Sequence, residues 1–172
     1  MIIWIASYPK SGNTYLRSFL ASYYFSNDGK FSFEHLLNIH QFPNMKFSKI
    51  KSISKEQASR NWIFNQNSFF SKNNFNLVKT HNCLYPFKNN EFTTKNETLG
   101  AIYIVRDPRN VITSILNHFS KNNYHEAMDF LFDEHKIIGL NNTLKDEKNT
   151  KDNNILTLTS SWKTHYNSWK TF

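Results

Sequence analysis

The stretch Ile2-Ile3-Trp4-Ile5-Ala6-Ser7-Tyr8-Pro9-Lys10-Ser11-Gly12-Asn13-Thr14-Tyr15 decides how the chain is read. Met1 to Ser7 is a short, almost continuous apolar run, the pattern of a central strand in a parallel sheet covered on both faces. Tyr8 to Asn13 cannot continue it, and the Pro and Gly there predict a tight turn. From Thr14 the residues Leu16, Phe19, Leu20, Tyr23 and Tyr24 follow helical spacing. A turn between a buried strand and a helix N-terminus offers unpaired amide N–H groups and the positive end of a dipole to an anion. Gly12 lets the backbone come close, Lys10 adds a point charge, and Ser11 and Thr14 add hydroxyls. The order differs from the nucleotide-kinase loop GxxxxGK[ST], because here the lysine precedes a lone glycine. On residue types alone, an ordinary strand–helix turn with a solvated lysine competes with the anion site.

Outward from this stretch, Ser54 with Gln57 forms a capping-box pattern. It predicts a helix reaching about Phe70, with Trp62, Ile63 and Gln66 on related faces. Leu77 to Thr80 is a second short strand ending at His81, and Leu99 to Val105 a third. Asp107-Pro108 then opens a helix, Asp as cap and Pro at the first helical position. Val111, Ile112, Ile115 and Phe119 form its buried face. Tyr124 to Ile138 is expected to be helical, and residues 141–154 a polar, mobile loop. Leu158, Trp162, Tyr166 and Trp169 make one stripe of a last helix, more suited to core than to an acceptor site. Strands joined by helical crossovers predict an α/β fold: a three-layer, P-loop-like domain with a short parallel sheet flanked by helices, spanning residues 1–172.

Composition narrows the partners. The 172 residues carry a formal net charge of +8, which favours anionic ligands. The lysines are scattered, as at Lys46, Lys49, Lys51 and Lys55, without the dense basic stripe of a nucleic-acid reader. Cys83 is the lone cysteine. It excludes an internal disulfide and suggests a reducing, cytoplasmic setting. No HExxH or Cys/His pairing frames a metal site, so no metal is expected. The apolar N-terminal run is too short to span a bilayer. Among the seven histidines, His118, His125 and His165 suit helix-surface or partly buried roles.

Tyr8-Pro9-Lys10-Ser11-Gly12-Asn13-Thr14-Tyr15 resembles the YPKSGTTW signature of the cytosolic-type sulfotransferases. The resemblance implies that Lys10, Ser11, Gly12, Asn13 and Thr14 cradle the 5′-phosphosulfate of the donor 3′-phosphoadenosine-5′-phosphosulfate. The signature's final Trp, which stacks on adenine, is replaced by Tyr15, and its first Thr by Asn13. Ile104-Val105-Arg106-Asp107-Pro108-Arg109-Asn110-Val111-Ile112-Thr113-Ser114 is similar to the family's 3′-phosphate segment, implying that Arg106 and Ser114 hold that phosphate. A salt bridge from Arg106 to Asp107 is the competing reading. Lys79-Thr80-His81 resembles the family's KTH segment, making His81 the general base and Lys79 an assistant to the acceptor or sulfuryl charge. Trp162-Lys163-Thr164-His165-Tyr166-Asn167-Ser168-Trp169 resembles a helix common in these enzymes. No counterpart of the family's distal Arg-Lys-Gly loop follows Trp169, so a C-terminally truncated domain is expected.

The function implied is sulfuryl transfer to a hydroxyl (or amine) acceptor by in-line displacement, with His81 as base and Lys10 stabilising the leaving phosphate. The acceptor is a small molecule, glycan or lipid that the sequence does not specify. Nucleic acid is not an expected partner, and an exposed aromatic helix leaves oligomerisation open. Two other classes stay in view: a non-catalytic nucleotide- or anion-binding module, and a P-loop nucleotide kinase. The kinase would need acidic metal positions, for which Asp107 is the obvious strand-end candidate.

Overall fold

The structure, a computed structural model, describes residues 1–47, 55–139 and 157–172. Ile2–Ser7 form β1, His40–Gln41 form β2, Asn76–Thr80 form β3 and Thr98–Ile104 form β4. They build one sheet in the order β2-β3-β1-β4, every pairing parallel. β1 lies inside, as its unbroken apolar run requires. Ala6 pairs with Thr80 on β3, and Ser7 with Ile104 on β4. The carboxyl ends of β1, β3 and β4 are therefore level, and the segments that follow them emerge side by side. Sequence reading expected three of these strands. The fourth, β2, is two residues long and carries no apolar pattern.

The sheet is covered on both faces. Helix α1 (Asn13–Phe25) lies over one face, where Ile5, Ala21, Ile39 and Leu77 pack with Ile3, Leu16 and Leu20. On the other face Trp4 is fully buried among Phe42, Phe92 and Trp169, and its Nε1–H donates to Thr98 Oγ1 at 2.8 Å. Trp62 and Phe70 belong to the same cluster. A third cluster joins Tyr8 to Val111 and Ile115 of α4 (Pro108–His118) and to Ala127, Phe130 and Leu131 of α5 (Tyr124–Phe132). These are the three layers expected of the α/β fold.

Four local expectations change. In α1 the buried side is Leu16, Leu20 and Ala21, while Phe19 and Tyr23 are 62% and 71% exposed. The expected helix ending near Phe70 is two helices, α2 (Lys55–Arg60) and α3 (Trp62–Phe69), which meet at Asn61. The capping residue Ser54 lies outside the described residues, as do residues 141–154. α5 ends at Phe132 rather than Ile138, because the Asp133 carboxylate accepts the His135 amide at 2.9 Å and turns the chain. Ile137–Ile138 then form β5, antiparallel to β6 (Thr157–Leu158), so Leu158 belongs to a strand and not to the final helix. That helix, α6 (Trp162–Lys170), begins where the Ser161 hydroxyl accepts the Thr164 amide. Among the described residues, no helix is long and apolar enough to cross a membrane.

The Trp4 cluster sets a stability test. Trp4→Ala is expected to cost about 3–5 kcal/mol in chemical denaturation. Trp4→Phe, which keeps most ring contacts and loses the hydrogen bond to Thr98, should cost clearly less. Equal losses would contradict this packing.

Candidate active site

The turn after β1 is shaped by two residues in the left-handed region, Lys10 (φ 67°) and Gly12 (φ 99°). Such left-handed residues within a turn make successive amide N–H groups converge on one concavity. Gly12 is the N-cap of α1, which has neither a side-chain cap nor an acidic residue in its first turn. The dipole end is thus not neutralised from within. A Cβ at position 12 would meet nothing within 4 Å, so glycine is required there by its φ and not by crowding. Ser11 is buried, and its hydroxyl lacks a partner among the described residues. Thr14 is exposed, and the Tyr15 ring is 83% exposed beside the turn. Asn13 differs from its neighbours. Its buried amide turns inward and donates to the Ile5 carbonyl at 3.0 Å and to Ser7 Oγ at 3.1 Å. Only its backbone N–H remains for a ligand in the turn.

His81 emerges from β3 beside this turn. Its Nδ1–H donates to the Ser7 carbonyl at 2.8 Å, with Ser7 Oγ at 3.3 Å. That bond leaves the lone pair on Nε2. Burial first, then the positive charges of Lys79 and Lys10, push its pKa down to about 3. Lys79 pairs across the sheet with Ile5, and its Nζ donates to Gln41 Oε1 at 3.0 Å. Burial and the charges of Arg17 and Lys10 lower it to about 8. Arg17 from α1 donates to the carbonyls of Ile39 and Leu36 at 3.0 and 2.8 Å. Among the described residues none of Lys10, Arg17, Lys79 and Arg106 is ion-paired. The carboxyl edge of the sheet therefore gathers positive charge that no described carboxylate pairs with.

Arg106 follows β4, and its Nη1–H donates to the Lys10 carbonyl at 2.9 Å. It does not pair with Asp107. That carboxylate caps α4 through the Arg109 amide and holds the Arg109 guanidinium at 2.5 Å. Two hydrogen bonds therefore gather three chain segments at one place: His81 at the Ser7 carbonyl and Arg106 at the Lys10 carbonyl. Ser114 is half-buried on α4, and no hydrogen bond among the described residues joins it to Arg106.

A family model for the sulfotransferase domain matches residues 2–172. The chain belongs to the sulfotransferase family. A search of curated proteins finds no match. The match spans all three segments of this sulfotransferase domain that meet at the carboxyl edge, together with α6 behind them.

Sequence reading missed several groups of the site. Ser7 links His81 to Asn13, yet it reads as the polar end of a strand. His165, expected at a helix surface or partly buried, is fully buried. Its Nε2–H donates to the His81 carbonyl at 3.0 Å, and its Nδ1 accepts from Tyr103 Oη at 2.7 Å. The one sequence signal was the spacing of His165 and Trp169, which places them one helical turn apart on a common face.

These imidazoles imply an acid-sensitive fold. Burial also holds His165 well down, to about 4, while an unfolded histidine titrates near 6.5. Between those values the unfolded chain binds protons that the native chain refuses, so stability rises with pH there. It is complete above about pH 6.5 and is lost progressively as pH falls toward 4. Thermal unfolding followed by circular dichroism should show a falling midpoint from pH 6.5 to 5, with a shallower fall in His165→Gln. A midpoint independent of pH across that window would contradict neutral, buried imidazoles.

Proposed function

We propose that this sulfotransferase-family chain takes 3′-phosphoadenosine-5′-phosphosulfate as donor and transfers its sulfuryl group to an acceptor hydroxyl. The observation that carries the reading is the gathering of Lys10, His81 and Arg106 around the Ser7–Lys10 backbone. The amides of Gly12, Asn13 and Thr14, with the Ser11 hydroxyl, receive the 5′-phosphosulfate at the open N-terminus of α1. Arg106 offers a planar donor fork to the 3′-phosphate, and Ser114 adds a hydroxyl from α4. The exposed Tyr15 ring stacks on the adenine. The acceptor is a small molecule, glycan or lipid bearing a hydroxyl or amine.

In the reaction the acceptor oxygen attacks sulfur in line with the 5′-phosphate oxygen. The new O–S bond forms as the S–O bond to that phosphate breaks. The acceptor proton passes to His81 Nε2, and the products are the sulfate ester and 3′-phosphoadenosine 5′-phosphate. Lys10 offsets the negative charge that grows on the leaving oxygen, and Lys79 steadies the sulfuryl oxygens. No redox partner is needed. The charges of Lys79 and Lys10 that depress His81 in the free protein are the ones a polyanionic donor neutralises. Donor binding should accordingly raise the basicity of His81 when it is needed. The lone, buried Cys83 suits a reducing compartment such as the cytoplasm.

Calorimetry with 3′-phosphoadenosine 5′-phosphate tests the donor site. Binding should exceed that of AMP, fall by about 10- to 100-fold in Lys10→Ala, as loss of a charged hydrogen bond predicts, and survive in His81→Ala. Transfer of the labelled sulfuryl group from the donor to a panel of hydroxyl acceptors should vanish in both variants. Equal affinity for AMP, or near-normal turnover by His81→Ala, would overturn the reading.

A further inference from the structure

We infer that α6 acts as the mount of His81, with His165 as a positioning residue for the proposed base; this rests on the reading of His81 given above. His165 and Trp169 occupy one face of α6 and donate to consecutive carbonyls of the segment leaving β3. His165 Nε2–H reaches the His81 carbonyl at 3.0 Å, and Trp169 Nε1–H the Asn82 carbonyl at 2.9 Å. Between them, Ser168 Oγ accepts the Leu84 amide at 3.0 Å and donates to the His165 carbonyl at 2.7 Å. The far side of the same segment is also held. Asn82 Oδ1 accepts the Leu158 amide at 2.8 Å, and the Cys83 amide donates to the Leu158 carbonyl at 2.7 Å.

Chemistry singles out His165 among these anchors. A fully buried imidazole costs desolvation that an apolar ring of similar size would avoid. The site answers that cost with two hydrogen bonds, one to each ring nitrogen. Tyr103 Oη–H donates to Nδ1, which leaves the proton on Nε2 and obliges that nitrogen to donate to the His81 carbonyl. Tyr8 meets the His165 ring edge-on at 5.6 Å between centroids, and Tyr103 lies at the same separation. The imidazole therefore touches the exit of β1 through Tyr8, the exit of β3 through His81, and β4 through Tyr103. His81 is fixed at two points, its ring through Nδ1 to Ser7 and its carbonyl through His165. With both settled, the free Nε2 has one direction to face. His165 meets the turn through the Tyr8 ring alone and, among the described residues, hydrogen-bonds to none of Lys10 to Thr14, so its effect falls on the proton-transfer step and not on donor affinity.

The test compares His165→Leu, which cannot donate, with His165→Gln, whose amide can replace the Nε2–H, and with Tyr103→Phe, which keeps the ring but frees the His165 tautomer. The probes are 3′-phosphoadenosine 5′-phosphate for affinity, transfer of the labelled sulfuryl group to the same hydroxyl-acceptor panel for turnover, and ¹⁵N NMR of the imidazoles. His165→Leu should lower kcat by about 100-fold, the scale of a misplacement near 1 Å, with affinity for the nucleotide within about twofold. His165→Gln should recover most of that kcat despite a similar loss of thermal stability. Tyr103→Phe should lower kcat and disperse the His165 ring signals between tautomers. Equal kcat losses in the Leu and Gln variants, or normal turnover in His165→Leu, would overturn the inference. Should His165→Leu fail to fold, unchanged kcat in Tyr103→Phe although its His165 signals disperse between tautomers would overturn it equally. Full turnover in His81→Ala would instead remove the base assignment itself, so the two failures are separable.

Discussion

Four residues of backbone, from Ser7 to Lys10, hold the site together. Within them the Ser7 carbonyl accepts His81 and the Lys10 carbonyl accepts Arg106. Each bond brings in a different strand exit, so neither His81 nor Arg106 can shift independently of the turn before α1. Parallel pairing makes this possible. With β1 flanked by β3 and β4 in level register, three carboxyl ends open on one edge, the place where open α/β sheets bind ligands. An antiparallel neighbour would have carried one of these segments to the opposite edge. Asn13 reinforces the arrangement from beneath by joining the first turn of α1 to Ile5 and Ser7.

The electrostatics follow from what is missing around these groups. Lys10, Arg17, Lys79 and Arg106 crowd the carboxyl edge, and no described carboxylate compensates them. Asp107, the nearest candidate, is spent on Arg109 and on the cap of α4. This is costly for the free protein and well suited to a ligand bearing several negative charges. It adds to burial, the larger cause, in keeping the His81 imidazole neutral.

Much of the fold was legible because burial writes itself into simple periodicities. The apolar run of β1, the strand before Arg106 and the Asp-Pro opening of α4 all read correctly, since each satisfies a local rule as well as a tertiary one. The errors fall where local and tertiary preferences part. Tyr124 to Ile138 looks uniformly helical, but Asp133 captures the His135 amide and releases the chain into β5. Leu158 has the right spacing for the α6 stripe and is instead paired in β6, ahead of the Ser161 cap. The aromatics of α1 have helical spacing too, yet the sheet takes Leu16, Leu20 and Ala21, leaving Phe19 and Tyr23 outside. For the candidate site, Lys10, His81 and Arg106 were singled out by three short segments that resemble the family's, and the parallel sheet brings those segments to one edge. The side chains that hold them were not legible as such. Ser7, Asn13, Tyr103 and His165 act through hydrogen bonds between residues distant in sequence, and no spacing rule exposes such partners.

The central claim is that one donor molecule occupies the turn and faces His81. A crystal structure with 3′-phosphoadenosine 5′-phosphate tests this most directly. It should place the 5′-phosphate on the amides of Gly12 to Thr14 and on Lys10 Nζ, with the 3′-phosphate on Arg106. His81 Nε2 should then face the 5′-phosphate across a gap that fits one sulfuryl group and one acceptor hydroxyl. A nucleotide bound elsewhere, or one whose 5′-phosphate faces away from His81, would contradict the account.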